Sequence, residues 1–121
     1  MFSVELPYPP SINHYWRRVG YRTLISREGR RFRERVVAIL AAKRLVPMTG
    51  PLKVEIDLYP PDSRRRDIDN VQKALLDALQ HGGVYEDDSQ IIDLHARKGE
   101  PKPAGMVRVT IRPIEDSSDD D

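Results

Sequence analysis

The sequence predicts a single two-layer α+β domain, with a mixed sheet of about four strands and two helices packed on one of its faces. The chain has 121 residues, enough for one hydrophobic core but not for two. Four short segments alternate between apolar and polar residues, and two longer segments carry an apolar stripe at helical spacing. They follow one another as strand, helix, strand, helix, strand, strand. Strands with one polar face favour helices on the other face alone.

The chain begins with a predicted strand and an extended loop. Residues 2–6 alternate with the period of a half-buried strand, and the three prolines that follow end it. The loop 11–18 interleaves aromatic, amide and arginine side chains, so its rings could stack on bases while Asn13 and Arg17 contact phosphates. The alternative is that the rings of Trp16 and Tyr15 fold inward and fill the core.

Two segments have the apolar periodicity of helices. The first begins near Ser26, a residue type that often caps a helix N-terminus, and runs to about residue 44. The second spans about residues 67–80, and Gly82-Gly83 is a natural stop because glycine tolerates the left-handed conformation. The predicted buried stripes are Phe32, Val36, Ile39 and Leu40 in the first helix, and Ile68, Val71, Leu75, Ala78 and Leu79 in the second.

Three further segments alternate as strands do. Residues 52–59 are the clearest strand, and two more are predicted at 90–98 and 106–112. The segment 99–105 contains two glycines and two prolines, so it predicts a hairpin connection between the last two strands. The residues expected on the core face of the 90–98 strand are Ile92, Leu94 and Ala96.

Composition limits the functional classes. The chain has no cysteine, which excludes disulfides, thiolate metal sites and a cysteine nucleophile. No apolar run is long enough for a membrane span and the N-terminus lacks a signal-peptide layout, so we expect a cytoplasmic protein with no membrane partner. The last seven residues, 115–121, hold five acids and no base, and we expect this tail to be disordered. The predicted domain, 1–114, then has 20 basic and 14 acidic residues, a net charge of +6 that favours a polyanionic partner.

One stretch concentrates opposed charges. Three arginines at 64–66 run directly into Asp67 and Asp69, and Lys73 follows on the same helical face as Asp69. Arginines suit a phosphate backbone, whereas clustered carboxylates suit Mg²⁺ or Mn²⁺. A third carboxylate would come from the acidic turn at 86–88. The stretch is therefore a candidate for a metal-dependent nuclease site.

Each carboxylate also has an ordinary structural explanation. Asp67 is a good N-cap residue, and Asp69 in the first turn would complement the helix dipole or pair with Lys73. The acidic turn could be solvated, and spacing alone does not choose between Asp87 and Asp88 as the third ligand. The residues by themselves therefore leave both readings open.

The chain as far as about residue 114 resembles the RusA family of Holliday junction resolvases, small endonucleases of bacteria and their prophages. The resemblance covers LPYPPSIN at 6–13 and SREG at 26–29. It is strongest at RRRDIDNVQKA (64–74) with DAL at 77–79, followed by Gly83 and DDSQ at 87–90.

This resemblance implies a Mg²⁺-dependent endonuclease, with Mn²⁺ as a possible substitute, that acts as a homodimer on branched DNA. The four-way junction would be resolved by paired nicks that leave 5′-phosphate and 3′-hydroxyl ends, in DNA recombination and repair. The implied catalytic residues are Asp67, Asp69, Lys73 and Asp88, of which the three aspartates would bind the metal. The expected DNA-binding residues are Asn13, Arg17, Arg64, Arg65 and Arg66.

Two other functions are compatible with the same residues. One is a less selective Mg²⁺-dependent DNA nuclease, and the other is a junction-binding relic that no longer cuts. A relic would be free to lose its catalytic residues, so the presence of all four candidates favours an enzyme. The histidines, His14 among them, are interpreted as structural or surface residues, since none lies at ligand spacing from another.

Overall fold

The computed structural model describes residues 1–114 and confirms the predicted α+β class, with a four-stranded mixed sheet and a second, two-stranded sheet. The predicted disordered tail, 115–121, lies outside the described residues. In chain order the elements are β1 (Phe2–Leu6), α1 (Ile12–Tyr15), β2 (Trp16–Val19), β3 (Arg22–Ile25), α2 (Arg27–Ala41), β4 (Leu52–Tyr59), α3 (Asp69–His81), a 3₁₀ turn (Asp88–Gln90), β5 (Ile91–Lys98) and β6 (Met106–Pro113).

The main sheet has the strand order β1-β6-β4-β5. Strand β6 is antiparallel to both of its neighbours, whereas β4 and β5 are parallel. The predicted hairpin connection at 99–105 is therefore wrong, because β5 and β6 lie on opposite sides of β4. The connection instead passes the end of β4, where the backbone N–H of Gly99 donates to the carbonyl of Leu58 at 2.7 Å and that of Lys102 to Pro60 at 2.8 Å.

The prediction for the core face of β5 is also wrong in part. Ile92 and Leu94 are 66% and 39% exposed, and of the three predicted residues only Ala96 packs partly against the core, where Ile91 joins it. The pairing of β4 with β5 shifts register between Leu52 and Lys53, which leaves Ile92 without a direct partner. Leu94 pairs with the buried Val54 but lies on an edge strand, where fewer neighbours cover it.

The two long helices pack as their stripes predict. In α2 the Ser26 hydroxyl caps the N-terminus by accepting from the backbone N–H of Gly29 at 2.9 Å. Helix α3 ends before Gly83, whose φ of +85° terminates the helix. The buried members of the two stripes are Phe32, Val36, Leu40, Val71, Leu75, Ala78 and Leu79, with Ile39 and Ile68 partly buried against them.

The predicted extended loop 11–18 instead contains helix α1 and the first strand of a hairpin, β2–β3. The Tyr15 ring is fully buried, and the partly buried Trp16 meets it edge-on with ring centroids 4.9 Å apart. Trp16 therefore lies inward, which was the alternative to base stacking. The Tyr15 hydroxyl donates to Asp77 of α3, whose carboxylate also accepts from Arg33 of α2 at 2.8 Å. This cluster joins all three helices.

Helix α2 lies so close to α1 that only a residue without a side chain is accommodated at position 29. A Cβ atom on Gly29 would lie 2.3 Å from the carbonyl oxygen of Tyr15 and 3.1 Å from Ile25. The same carbonyl accepts from the backbone N–H of Ser26 at 2.8 Å. The start of α2 and the base of the hairpin are therefore held together through Tyr15.

We expect Gly29→Ala to destabilise the protein by about 1–3 kcal/mol, because the new methyl group overpacks the contact with the Tyr15 carbonyl. In an open helix the same substitution stabilises by roughly 0.5–1 kcal/mol, so the sign of the change is diagnostic. Urea denaturation would measure it, with Arg30→Ala at the neighbouring exposed position as the control. A Gly29→Ala variant as stable as the wild type would contradict the close contact.

Candidate active site

The loop between β4 and α3 is organised by Asp62. Its carboxylate accepts from the backbone N–H of Arg64 at 2.9 Å and from the Arg66 guanidinium at 2.6 Å. The Arg66 hydrogen bond, with the Arg64 N–H, lowers the pKa of Asp62 from 3.8 to about 2. Lys98, the last residue of β5, donates to the Arg66 carbonyl on the other side. The backbone just before Asp67 is thus fixed by contacts at both sides.

This loop forms one wall of a cleft of about 580 Å³. The opposite wall comes from the proline-rich segment after β1, from α1 and from the start of α2. The residues that line the cleft are Tyr8, Pro9, Pro10, Ser11, His14, Glu28, Pro61, Arg64, Arg65, Arg66, Asp67, Asn70 and Val71. The cleft therefore combines two carboxylates, Glu28 and Asp67, with three guanidinium groups near the N-terminal end of α3.

Two of the structural alternatives are not realised, the N-cap role of Asp67 and the ion pair of Asp69 with Lys73, whereas Asp69 does lie in the first turn of α3, as the helix-dipole alternative predicts. The N-cap position of α3 is occupied by Ile68, and no side chain caps this end of the helix, so the predicted N-cap role of Asp67 is wrong. Asp67 is exposed, with the Asn70 amide 3.5 Å away. Asp69, the first residue of α3, and Lys73 are both exposed, and among residues 1–114 neither forms an ion pair within 4.0 Å. These three charged groups are accessible to a ligand.

Within one chain the structure does not bring Asp88 to the other two aspartates. The backbone N–H of Asp88 donates to the side chain of Gln80, at the far end of α3 from Asp69. The eleven-residue separation of Gln80 from Asp69 corresponds to about 16 Å along the helix. Accordingly, the described part of the chain contains no cluster of three or more metal-ligating side chains. The expectation that the turn of Asp88 neighbours the start of α3 is not met.

The structure does distinguish Asp88 from Asp87. The Asp87 carboxylate caps the 3₁₀ turn by accepting from the backbone N–H of Ser89 at 3.0 Å, and Gln90 completes the capping box. The hydrogen bonds from Ser89 lower the pKa of Asp87. Asp87 therefore has a local structural role, whereas the Asp88 side chain is exposed. This difference favours Asp88 as the residue available for a metal.

The two carboxylates at the start of α3, Asp67 and Asp69, are of a type that suits a divalent cation. Mg²⁺ dehydrates reluctantly and is commonly bound by one or two carboxylates, with waters and substrate phosphates as the other ligands. Asp67 and Asp69 meet that requirement in one chain. The uncapped N-terminus of α3 presents backbone N–H groups beside them, and the positive end of a helix dipole favours a phosphate.

Comparison with known proteins shows the family of the chain. The family described as endodeoxyribonuclease RusA matches residues 7–112. The crossover junction endodeoxyribonuclease of Enterobacteria phage HK97 is 42% identical over 115 residues, covering 94% of this chain and 96% of the relative. Those of Escherichia coli K12 and Enterobacteria phage 82 are each 40% identical over 111 residues, covering 91% of this chain and 92% of the relative. The chain belongs to the RusA family.

The match of the RusA family begins at Pro7 and includes cleft residues that the sequence analysis did not single out. Tyr8, His14 and Glu28 line the cleft, and His14 is exposed, in agreement with its interpretation as a structural or surface residue. They come from three separate segments, so only the folded arrangement shows that they adjoin Asp67. Of the predicted DNA-binding residues, Arg64, Arg65 and Arg66 line the cleft, while Asn13 and Arg17 are exposed on α1 and β2.

None of the helices within residues 1–114 is long and apolar enough to span a membrane.

The Asp62 carboxylate should titrate at about pH 2, below its ordinary value of 3.8, because Arg66 and the Arg64 N–H stabilise the ionised form. The depressed folded-state pKa means that this contribution to stability is complete above the ordinary value and is lost as pH falls toward about 2. A ¹³C NMR titration of the carboxyl groups would measure the midpoint. In Arg66→Gln the midpoint should rise toward 3.8. An unchanged midpoint in that variant would contradict the assigned cause.

Proposed function

We propose that this protein is a Mg²⁺-dependent endodeoxyribonuclease that resolves four-way DNA junctions by paired, symmetric nicks during recombination and repair. The observation that carries the proposal is that the exposed Asp67 lines a cleft with three arginines, while the exposed Asp69 follows two residues later at the uncapped start of α3. The names of the relatives as crossover junction endodeoxyribonucleases support the choice of substrate. Such a substrate would be met in the cytoplasm.

The residues have separate roles in this proposal. Asp67 and Asp69 would bind Mg²⁺, for which Mn²⁺ could substitute. The bound cation would supply an acidified water and neutralise charge on the reacting phosphate. Lys73, one helical turn after Asp69, would stabilise the additional negative charge of the transition state. Arg64 and Arg65, whose side chains are exposed at the mouth of the cleft, would hold neighbouring phosphates.

The distant position of Asp88 supports a homodimer in which each metal site uses both chains. Strand β5 is an edge of the main sheet and exposes Ile92 and Leu94. If two β5 strands paired antiparallel about a two-fold axis, the start of one would lie beside the end of the other. Asp88 precedes the start of β5, and Lys98 at its end contacts the carbonyl of Arg66. This pairing would therefore bring Asp88 of a second copy toward Asp67.

We expect Asp69→Asn and Lys73→Ala each to lower the cleavage rate by about two orders of magnitude or more, with the fold intact. The first removes a metal ligand, and the second removes a charge that no ion pair in residues 1–114 requires. The measurement is single-turnover cleavage of a synthetic four-way junction with Mg²⁺, with nick positions read on both strands.

The matched controls are Glu34→Gln and Lys43→Ala, which change exposed charges of the same types on or just after α2. Both should cleave at the wild-type rate. If Asp69→Asn cut as fast as the wild type, the assignment of the site would be wrong. A wild-type protein that cuts linear duplex as fast as the junction would indicate the less selective nuclease, and one that binds junctions but never cuts would indicate a relic.

Mixing two inactive variants, Asp67→Asn and Asp88→Asn, should restore nicking. In a mixed dimer the two substitutions would fall in one site and leave the other site intact, so one strand of the junction would be cut. Each variant alone should be inactive, because every site would lack a ligand. Gel analysis of a junction labelled on both cleavable strands would separate single nicks from paired ones.

Subunit exchange in the mixture would be checked with two fluorescent labels. Ile92→Glu, on the exposed edge of β5, should prevent strand pairing and abolish the restored activity. A mixture that exchanges subunits but stays inactive would show that Asp88 does not act from the second chain.

A further inference from the structure

The hairpin of β2 and β3 extends from the body of the protein next to the cleft. Its base is held by the buried Tyr15 and by Ser26, whose backbone N–H donates to the Tyr15 carbonyl at 2.8 Å. Ser11 and His14, immediately before the hairpin, line the cleft. The four residues of each strand and the turn carry the tip roughly 16 Å from this base. A ligand in the cleft would therefore lie within reach of the hairpin.

The tip exposes an aromatic ring. Tyr21 follows Gly20 in the turn and is fully exposed, with a relative solvent-accessible area of 105%. This is the highest value among the exposed large apolar residues of the described chain. Removing a tyrosine ring from water is favourable. A fully exposed ring at the end of a projecting hairpin cannot pack on the core of its own domain, so it is available to a binding partner. The two apolar residues nearest in the hairpin, Val19 and Leu24, are also more than one third exposed.

The strand register separates the two faces of the hairpin. Trp16 pairs with Ile25, and this face turns inward to the core. The opposite face is formed by the pairs Arg17 with Leu24 and Val19 with Arg22. Apolar groups and guanidinium groups therefore alternate on the outer face, next to the Tyr21 ring.

The charge of the hairpin selects the class of partner. Residues 16–25 contain three arginines, at 17, 18 and 22, and no acidic residue. None of the three forms an ion pair with another residue in the range 1–114. A surface that combines unpaired guanidinium groups with an exposed ring is complementary to nucleic acid, where phosphates and base faces alternate.

We propose that this hairpin is a second DNA contact, in which Tyr21 stacks on a base that has left the duplex stack while Arg17 and Arg22 bind the flanking phosphates. The inference rests on the proposed function for its substrate, because a four-way junction opened by the protein has an interrupted base stack at its branch point and a linear duplex does not. The hairpin would therefore contribute to discrimination between junction and duplex. Backbone contacts alone discriminate poorly between them.

The test uses the full-length protein and junctions that carry 2-aminopurine at the branch point or in the middle of one arm. Tyr21→Ala should weaken junction binding by roughly 5- to 150-fold, the range of one lost base stack, and change duplex binding less than about 2-fold. It should also abolish the change in 2-aminopurine fluorescence at the branch point. Tyr21→Phe keeps the ring and should behave as the wild type.

Two further variants separate stacking from charge and from general surface effects. Arg22→Gln should reduce the salt dependence of binding by about one phosphate contact without removing the fluorescence change. Val46→Ala truncates an apolar residue that is 82% exposed in the loop after α2, and it should alter neither measurement.

The proposal is overturned if Tyr21→Ala binds the branched and linear DNAs as the wild type does, or if it changes the sedimentation of the protein instead, which would make the tip a contact between proteins. These outcomes are independent of catalysis. A wild type that fails to cut junctions but shows the Tyr21-dependent fluorescence change would refute the proposed function and leave the hairpin contact standing.

Discussion

The buried hydroxyl of Tyr15 is the interaction on which the arrangement of the cleft depends. Burial, and then the hydrogen bond to Asp77, raise the pKa of Tyr15 to about 12, so the hydroxyl remains a donor at neutral pH. It donates to Asp77 of α3, and Arg33 of α2 contacts both the same carboxylate and the tyrosine oxygen. A buried hydroxyl without such partners would cost about 1–3 kcal/mol. The cluster therefore stabilises one relative position of α1, α2 and α3.

The consequence extends to both walls of the cleft. Ser11, just before α1, and His14 within it lie on one side of the cleft, and the loop before α3 with the first turn of α3 forms the other side. The hairpin follows Tyr15 without a linker, so its direction is set by the same contact. Gly29, which allows α2 to approach the Tyr15 carbonyl, belongs to this arrangement as well. A polar cluster about two turns from Asp69 along α3 thus determines how the charged residues of the cleft face one another.

The local pattern of apolar and polar residues was sufficient to predict those helices and strands that bury one face. Alternation over 52–59 and the stripes of α2 and α3 were confirmed because each of these elements lies over the same core. The inward residue at the start of β5 was not predictable, since a register shift opposite Leu52 places Ile91 rather than Ile92 against the core. Its pairing with β4 rather than β6 is a long-range choice that neighbouring residues do not encode. The hairpin β2–β3 was missed because most of its side chains are exposed and show no apolar period.

The site was predictable in its residue types more than in its geometry. The order of charges from Arg64 to Lys73 indicates phosphate and metal chemistry without any knowledge of the fold. Whether a carboxylate has a local role depends on backbone hydrogen bonds, as the contrast between the capping Asp87 and the open Asp67 shows. Asp88 lies far from Asp69 in the same chain because α3 separates them along its whole length. Apolar periodicity predicts the helix but does not show that the turn of Asp88 packs against its C-terminal end.

The separation of Asp88 from Asp69 within one chain would link metal binding to dimer formation in the proposed reaction. If the third carboxylate comes from the second copy, a single chain has an incomplete metal site, and the complete site forms only in the dimer. The two sites of such a dimer are equivalent by symmetry, and a four-way junction presents two equivalent strands about its own two-fold axis. Matching these symmetries would place a site at each scissile strand. Paired cleavage would then follow from the assembly of the protein, with no need for communication between the two sites.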